Sequence, residues 1–171
     1  MPQKTKHVSS IHPLGDAVFG TEIMVSDPCY TVGTWCQIVQ KEVLPGNWKG
    51  WAIEKDEGQW GDRIAVLLIH HADHRVKAWQ SCWENLGEIG VDSGQAGFFD
   101  RSRYPEGDIG DFEDPNSFYG GCCEVTLRDP LCGSVPAGFV SSTGYGDGEY
   151  SLIGQRNKRG ELVAMAIVFI G

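Results

Sequence analysis

An all-β fold is what this sequence predicts: a single-domain barrel or sandwich of mostly antiparallel strands, with one long Asp/Gly/Pro-rich loop. Three observations carry that reading. Apolar and polar residues alternate with period two over most of the chain, and no stretch sustains a 3.6-residue period. The 23 glycines are scattered among apolar stretches, as many tight turns between short strands require. A chain of 171 residues, 41% hydrophobic and 22% charged, has the size and composition of one globular domain, spanning residues 1–171.

The elements follow in order. Residues 1–12 read as a flexible N-terminus. Residues 17–25 form a first strand, ended by Ser26, Asp27 and Pro28, since proline has no N–H for the ladder. Residues 34–43 and 48–54 come next, with the stretch LPGN as a hairpin turn between them. Residues 63–71 are branched and apolar on both faces, and HADHR turns the chain back into a strand at 76–79. Residues 86–91 and 95–99 flank Asp92, Ser93 and Gly94. From 100 to 121 periodicity disappears, which predicts a long loop with one helical turn starting at Pro115. Strands at 122–127, 138–142, 149–155 and 162–170 complete the chain. Asp147–Gly148 is a hairpin-turn signal between two of them. The opening of 20–30 echoes that of 87–100, with Ile-x-Val followed by aspartate, as in two related halves of one sheet.

Charge and cysteines narrow the function classes. A net charge of −9 argues against nonspecific binding to nucleic acid or to an anionic membrane surface. The two basic groupings, Arg101–Arg103 and Arg156–Asn157–Lys158–Arg159, read as solvated turns. The opening MPQKTKHVSS holds no apolar run, and the longest apolar run, LVAMAIVFI, is far short of the ~20 residues that span a bilayer. A cytoplasmic protein with six free thiols is therefore expected. No CxxC occurs, and Cys122 and Cys123 would face opposite ways on a strand, so the spacing fits zinc poorly and no cofactor is expected.

The candidate site residues lie at turns. Tyr145, Asp147 and Tyr150 crowd one Gly-rich tip, GYGDGEY, where a ligand can approach the backbone closely. Asp92, Ser93 and Gln95 form a second polar turn. Trp60, set in GQWGD, is the aromatic best placed to be exposed; the other tryptophans, Trp35, Trp48, Trp51, Trp79 and Trp83, read mostly as packing. Asp27, Asp92, Asp100 and Asp147 all fall at strand ends, where they cap turns or, if one rim gathers them, bind a divalent cation. His70, His71, Asp73 and His74 form a histidine cluster at a hairpin tip. No nucleophile elbow, P-loop or dinucleotide fingerprint occurs.

SDPCY at 26–30, VDSGQAGFFD at 91–100 and STGYGDGEY at 142–150, with the closing strand GELVAMAIVFIG, resemble a bacterial and phage family classed as a domain of unknown function. Its members share VDSGQ, DPCY and TGxGDGxY signatures. The resemblance covers the start and the last half of the chain, not 37–79, and it implies a β-rich fold without an established activity. Here DPCY stands early, and FFDRSRY follows DSGQ instead.

The expected function is binding without catalysis: a small molecule or a protein partner held by the DSGQ and GYGDGEY loops. The alternatives are a metal-dependent hydrolase using Asp92, Asp100 and Asp147, and a structural or self-associating protein.

Overall fold

The computed structural model describes residues 7–78 and 82–171. In chain order the strands are β1 (Val8–Phe19), β2 (Ile23–Ser26), β3 (Ile38–Gln40), β4 (Gly46–Asp56), β5 (Asp62–His71), β6 (Glu84–Val91) and β7 (Gln95–Asp100). Helix α1 (Phe118–Thr126) precedes β8 (Cys132–Val135), β9 (Gly138–Ser142), β10 (Gly148–Arg156) and β11 (Leu162–Val168). They form a sandwich, not a closed barrel. One sheet has six strands in the order β1-β4-β5-β11-β10-β6; the other has five, in the order β3-β2-β7-β9-β8. Every ladder is antiparallel.

The core lies between the sheets. Alternation along β4 turns Trp48, Gly50 and Ala52 inward, and the Trp48 ring meets Phe19 edge-on at 6.0 Å. Phe19 in turn meets Phe139 at 6.1 Å. Gly50 is required there, because a Cβ would lie 2.7 Å from the Phe139 ring. The stretch read as apolar on both faces is β5, and both faces are covered. Ile64, Leu67 and Ile69 join the central core, while Ala65 and Val66 pack with Ala166 and Ile153 on the outer side. A bulge leaves Ala65 without a β4 partner, and its carbonyl accepts the amides of Phe169 (2.8 Å) and Ile170 (3.1 Å).

Several expectations change. Residues 8–12 belong to β1 rather than to a flexible terminus, because β4 is long enough to pair with them. The strand expected at 17–25 is broken at 20–22, where the chain leaves one sheet for the other. LPGN is no hairpin: β3 pairs with β2, whereas β4 pairs with β1 and β5. Residues 76–78 carry no strand, and Trp79 lies outside the described residues. The echoing stretches end up in different sheets, as β2 and β6.

Residues 122–126 of the strand expected at 122–127 are helical, and Leu127 caps the helix. The Ser117 hydroxyl accepts the Gly120 amide at 3.0 Å and starts α1. Gly120 lets the first turn sit on the preceding loop, where a Cβ would fall 1.9 Å from the Asp114 carbonyl. Successive helical residues lie about 100° apart, so Cys122 and Cys123 are both buried instead of facing opposite ways. All six cysteines are free thiols.

Two outcomes test this packing. Ser141 is fully buried between the sheets, and its hydroxyl has no hydrogen-bond partner. A buried, unpaired hydroxyl costs about 1–3 kcal/mol, so Ser141→Ala is expected to match or exceed the wild-type melting temperature; a clear loss would mean the hydroxyl is bonded. Phe112 is 60% exposed in the loop before α1. Brief chymotrypsin treatment should therefore cut at Phe112, and at Trp35, which is 86% exposed outside any strand, before it cuts elsewhere; a first cut within β5 would contradict the packing described.

Candidate functional site

The loops nominated by the sequence converge because of how the chain changes sheets. Residues 92–94 carry it from β6 to β7, and 143–147 carry it from β9 to β10. Both are crossings between the two sheets at one end of the sandwich, so the hairpin expected at Asp147–Gly148 is not formed. The crossings touch: the Thr143 amide donates to the Gly94 carbonyl at 3.2 Å. Positive φ is demanded at Gly144 (65°) and Gly146 (108°), which allows the tight path.

A third loop joins them. After β2, the Tyr30 amide donates to the Asp27 carbonyl at 3.2 Å, with Pro28 fixing the turn. The Asp27 side chain is fully buried and accepts four hydrogen bonds. Its Oδ1 takes the Cys29 amide at 2.8 Å and the Ser93 hydroxyl at 2.6 Å. Its Oδ2 takes the amides of Asp92 at 2.9 Å and Ser93 at 2.6 Å. The cap of a local turn has thus become the clamp between two loops that are 66 residues apart in sequence. Sequence reasoning placed Asp27 among four strand-end aspartates but not in this role; DPCY directly after a buried strand was the available signal.

Around the clamp lie Cys29, Tyr30 and Tyr119. Burial, then the Asp27 carboxylate, push the Cys29 thiol from 9.0 up to about 12, so it is protonated at neutral pH. Tyr119, from the first turn of α1, interacts with Ser93 and Cys123, and burial raises its phenol to about 12. The Tyr30 phenol interacts with Asp92 and Cys36 and is also raised, chiefly by burial.

The seven nominated residues divide by what they touch. Gln95 is buried; it accepts the Thr126 hydroxyl at 3.1 Å and donates to the Cys123 sulfur at 3.4 Å, fastening α1 to β7. The Tyr150 hydroxyl donates into the 143–147 crossing, 2.6 Å from the Gly146 carbonyl, and its ring meets Phe169 at 5.2 Å. Both hold the scaffold. Ser93 is half-buried in the clamp. Asp92, Asp147, Tyr145 and Trp60 are exposed at the rim. The Tyr145 hydroxyl donates to Glu57 at 2.7 Å, and the Arg63 guanidinium lies over its ring at 5.1 Å. Arg63 Nε also donates to the carbonyl of Trp60.

Asp100 is not part of this rim. It lies at the other end of β7, roughly 17 Å along the strand from Gln95. There it accepts the Gly20 amide at 2.9 Å and the Ser102 hydroxyl. Asp92, Asp100 and Asp147 are therefore not brought together, and among the described residues no group of three His, Cys, Asp or Glu is placed to hold a metal. The histidines are separated too. His70 Nε2 accepts the Trp51 indole at 3.0 Å, His71 faces the Pro45 carbonyl at 3.1 Å, and His74 faces Gln155 at 3.0 Å.

Two measurements follow from the clamp. In Asp27→Asn, an amide supplies one acceptor in place of two, which leaves buried N–H groups unpaired; a loss of about 2–4 kcal/mol in urea unfolding is expected. For Cys29, the folded chain keeps a proton that the unfolded chain sheds above pH 9, so this thiol's contribution to stability falls as pH rises from about 9 to about 12. At pH 8, iodoacetamide should label Cys29 in unfolded protein while leaving it unmodified in native protein; rapid native labelling would contradict the assigned environment.

No family model, no curated protein and no solved structure matches this chain.

Proposed function

We propose that this protein is a binding module of bacterial or phage type that works without catalysis, using the rim formed by the 92–94 and 143–147 crossings. The observation that carries this reading is the division of labour at the rim. Asp27, Gln95 and Tyr150 are consumed in holding the loops, whereas Asp147 and Trp60 present their side chains to solvent on that fixed support, beside Asp92, which Tyr30 engages, and Tyr145, which bonds Glu57. The ligand is a small molecule or a protein partner. The resemblance of SDPCY, VDSGQ and STGYGDGEY to the bacterial and phage family supports the same placement, since those stretches build this rim. Free thiols fit a cytoplasmic setting.

The groups best suited to covalent chemistry support binding over catalysis. The Ser93 hydroxyl donates to a carboxylate whose two oxygens already take three amides. A thiol raised to about 12 supplies no thiolate at neutral pH.

Native mass spectrometry of freshly purified protein tests the reading. Wild type is expected to carry a bound molecule or partner that is lost from Asp147→Asn and from Trp60→Ala, with melting temperatures within a few degrees of wild type. Full occupancy in both variants would remove the rim from the binding site.

A further inference from the structure

The outer face of the six-stranded sheet is apolar, and the chain covers only one side of it. The ladders set Ile11, Ile53, Val66 and Val168 side by side across β1, β4, β5 and β11. Trp51, Leu68, Ala166 and Ile153 form the next row. Over β10 the chain closes this face itself. Gln155 accepts the His74 ring at 3.0 Å and the Lys77 amide at 3.3 Å, and Trp83 packs on the cluster of Ala65, Val66 and Ala166. Toward β1 the face is open: Val8 is 53% exposed and Ile11 59%.

A cleft of about 230 Å3 lies on this open side, lined by Val8, Ile53, Val66, Val168 and Ile170. Lys55 is the one charged side chain on it, and Gly171 completes the lining. In the β4–β5 ladder Lys55 stands directly across from Arg63. Like charges placed so repel. Among the described residues no carboxylate forms an ion pair with either cation. Lys49, further along the same face of β4, is by contrast paired with Asp16 at 3.2 Å. Arg63 donates to the carbonyls of Trp60 and Gly144 and lies over the Tyr145 ring, which holds the guanidinium without neutralising it. A net charge of −9 leaves the chain with carboxylates to spare, yet none is placed on this pair.

We propose that this cleft binds a small anionic amphiphile, a medium-chain carboxylate. Its hydrocarbon tail lies on Ile53, Val66 and Val168, and its carboxylate meets Lys55 Nζ within the field of Arg63. Shape and charge point the same way from separate sources. The cleft is made by side chains of four strands, and the cation pair by the register of one ladder. Removing apolar tail and cleft surface from water supplies affinity. A lysine ammonium on a flexible stem reaches a small anionic head. The carboxylate also offsets the repulsion between Lys55 and Arg63, so the head group has a place fixed by the protein's own charges.

The test is isothermal titration of full-length protein with octanoate at about 0.05 M salt. Octyltrimethylammonium supplies the tail with a cationic head, and acetate supplies the head without a tail. Octanoate should saturate a single site, with both controls at least ~tenfold weaker. Lys55→Gln should weaken octanoate at least ~tenfold while its melting temperature equals or exceeds wild type, because an opposed cation is removed. Val8→Ser, at an exposed wall of the cleft, should cost at least ~threefold. Lys49→Gln makes the same charge change on the same face and should stay within about twofold of wild type. Equal binding of the cationic amphiphile would show tail adsorption alone and overturn the inference. Full binding by Lys55→Gln, equal weakening by Lys49→Gln, or no saturable binding would each do the same. A dimer that octanoate leaves intact and Val8→Ser disperses would assign the face to a second copy of this chain and also overturn it. Asp147→Asn should bind octanoate within about twofold of wild type, so this site stands or falls separately from the rim; a loss in that variant would place the octanoate at the rim and overturn the inference.

Discussion

The Asp27 carboxylate is the constraint on which this end of the molecule depends. A carboxylate with no exposure is costly unless its lone pairs are satisfied, and here three amides and a hydroxyl satisfy them. Those donors come from two loops that meet because their strands are paired: the SDPCY turn leaves β2, the 92–94 crossing enters β7, and Ser26 stands opposite Gly97 in the ladder between them. The ladder brings the loops to one end, and the carboxylate ties their backbones together.

A sheet-changing loop has a particular problem. Its backbone groups leave one ladder before entering another, and each needs a partner during the crossing. The 143–147 crossing solves it with its own turn and with a side chain. The Thr143 hydroxyl donates to the Gly146 carbonyl at 2.7 Å, the Gly146 amide donates to the Thr143 carbonyl at 3.1 Å, and the Tyr150 hydroxyl reaches both carbonyls from the strand that follows. The backbone polar groups of the crossing are thus satisfied internally, while the Tyr145 hydroxyl reaches outward to Glu57 and Asp147 stays exposed.

The same logic distinguishes the two ends of the sandwich. At the far end Asp100 and Arg103 are engaged with each other, at 3.4 Å, and with backbone, and Arg156 pairs with Glu42 at 3.1 Å and with Glu84 at 2.5 Å. Charges there are compensated within the chain. At the rim, Asp56 stands opposite Asp62 at the end of the β4–β5 ladder.

What the sequence determined by itself was the β-rich class, most strand positions in the second half, and the two polar loops that meet at the rim. Period-two alternation and turn residues are local signals, and they hold for 138–142, 149–155 and, up to Val168, for 162–170, because those strands are long or flanked by glycine. Partner choice was decided by tertiary structure alone. LPGN and Asp147–Gly148 look like hairpin turns, yet each joins strands of different sheets, since a turn signal states where the chain reverses and not which ladder receives it. Helix α1 was hidden because FYGGCCEVT carries two glycines and no clear apolar stripe; it forms where Ser117 caps it and where Phe118 packs on Phe99 and Tyr104 at 5.1 and 4.8 Å. Asp27 shows the limit most plainly. Its sequence neighbours explain one of its bonds, to Cys29, and the other three come from residues brought beside it by the pairing of β2 with β7, 65 and 66 residues further along the chain.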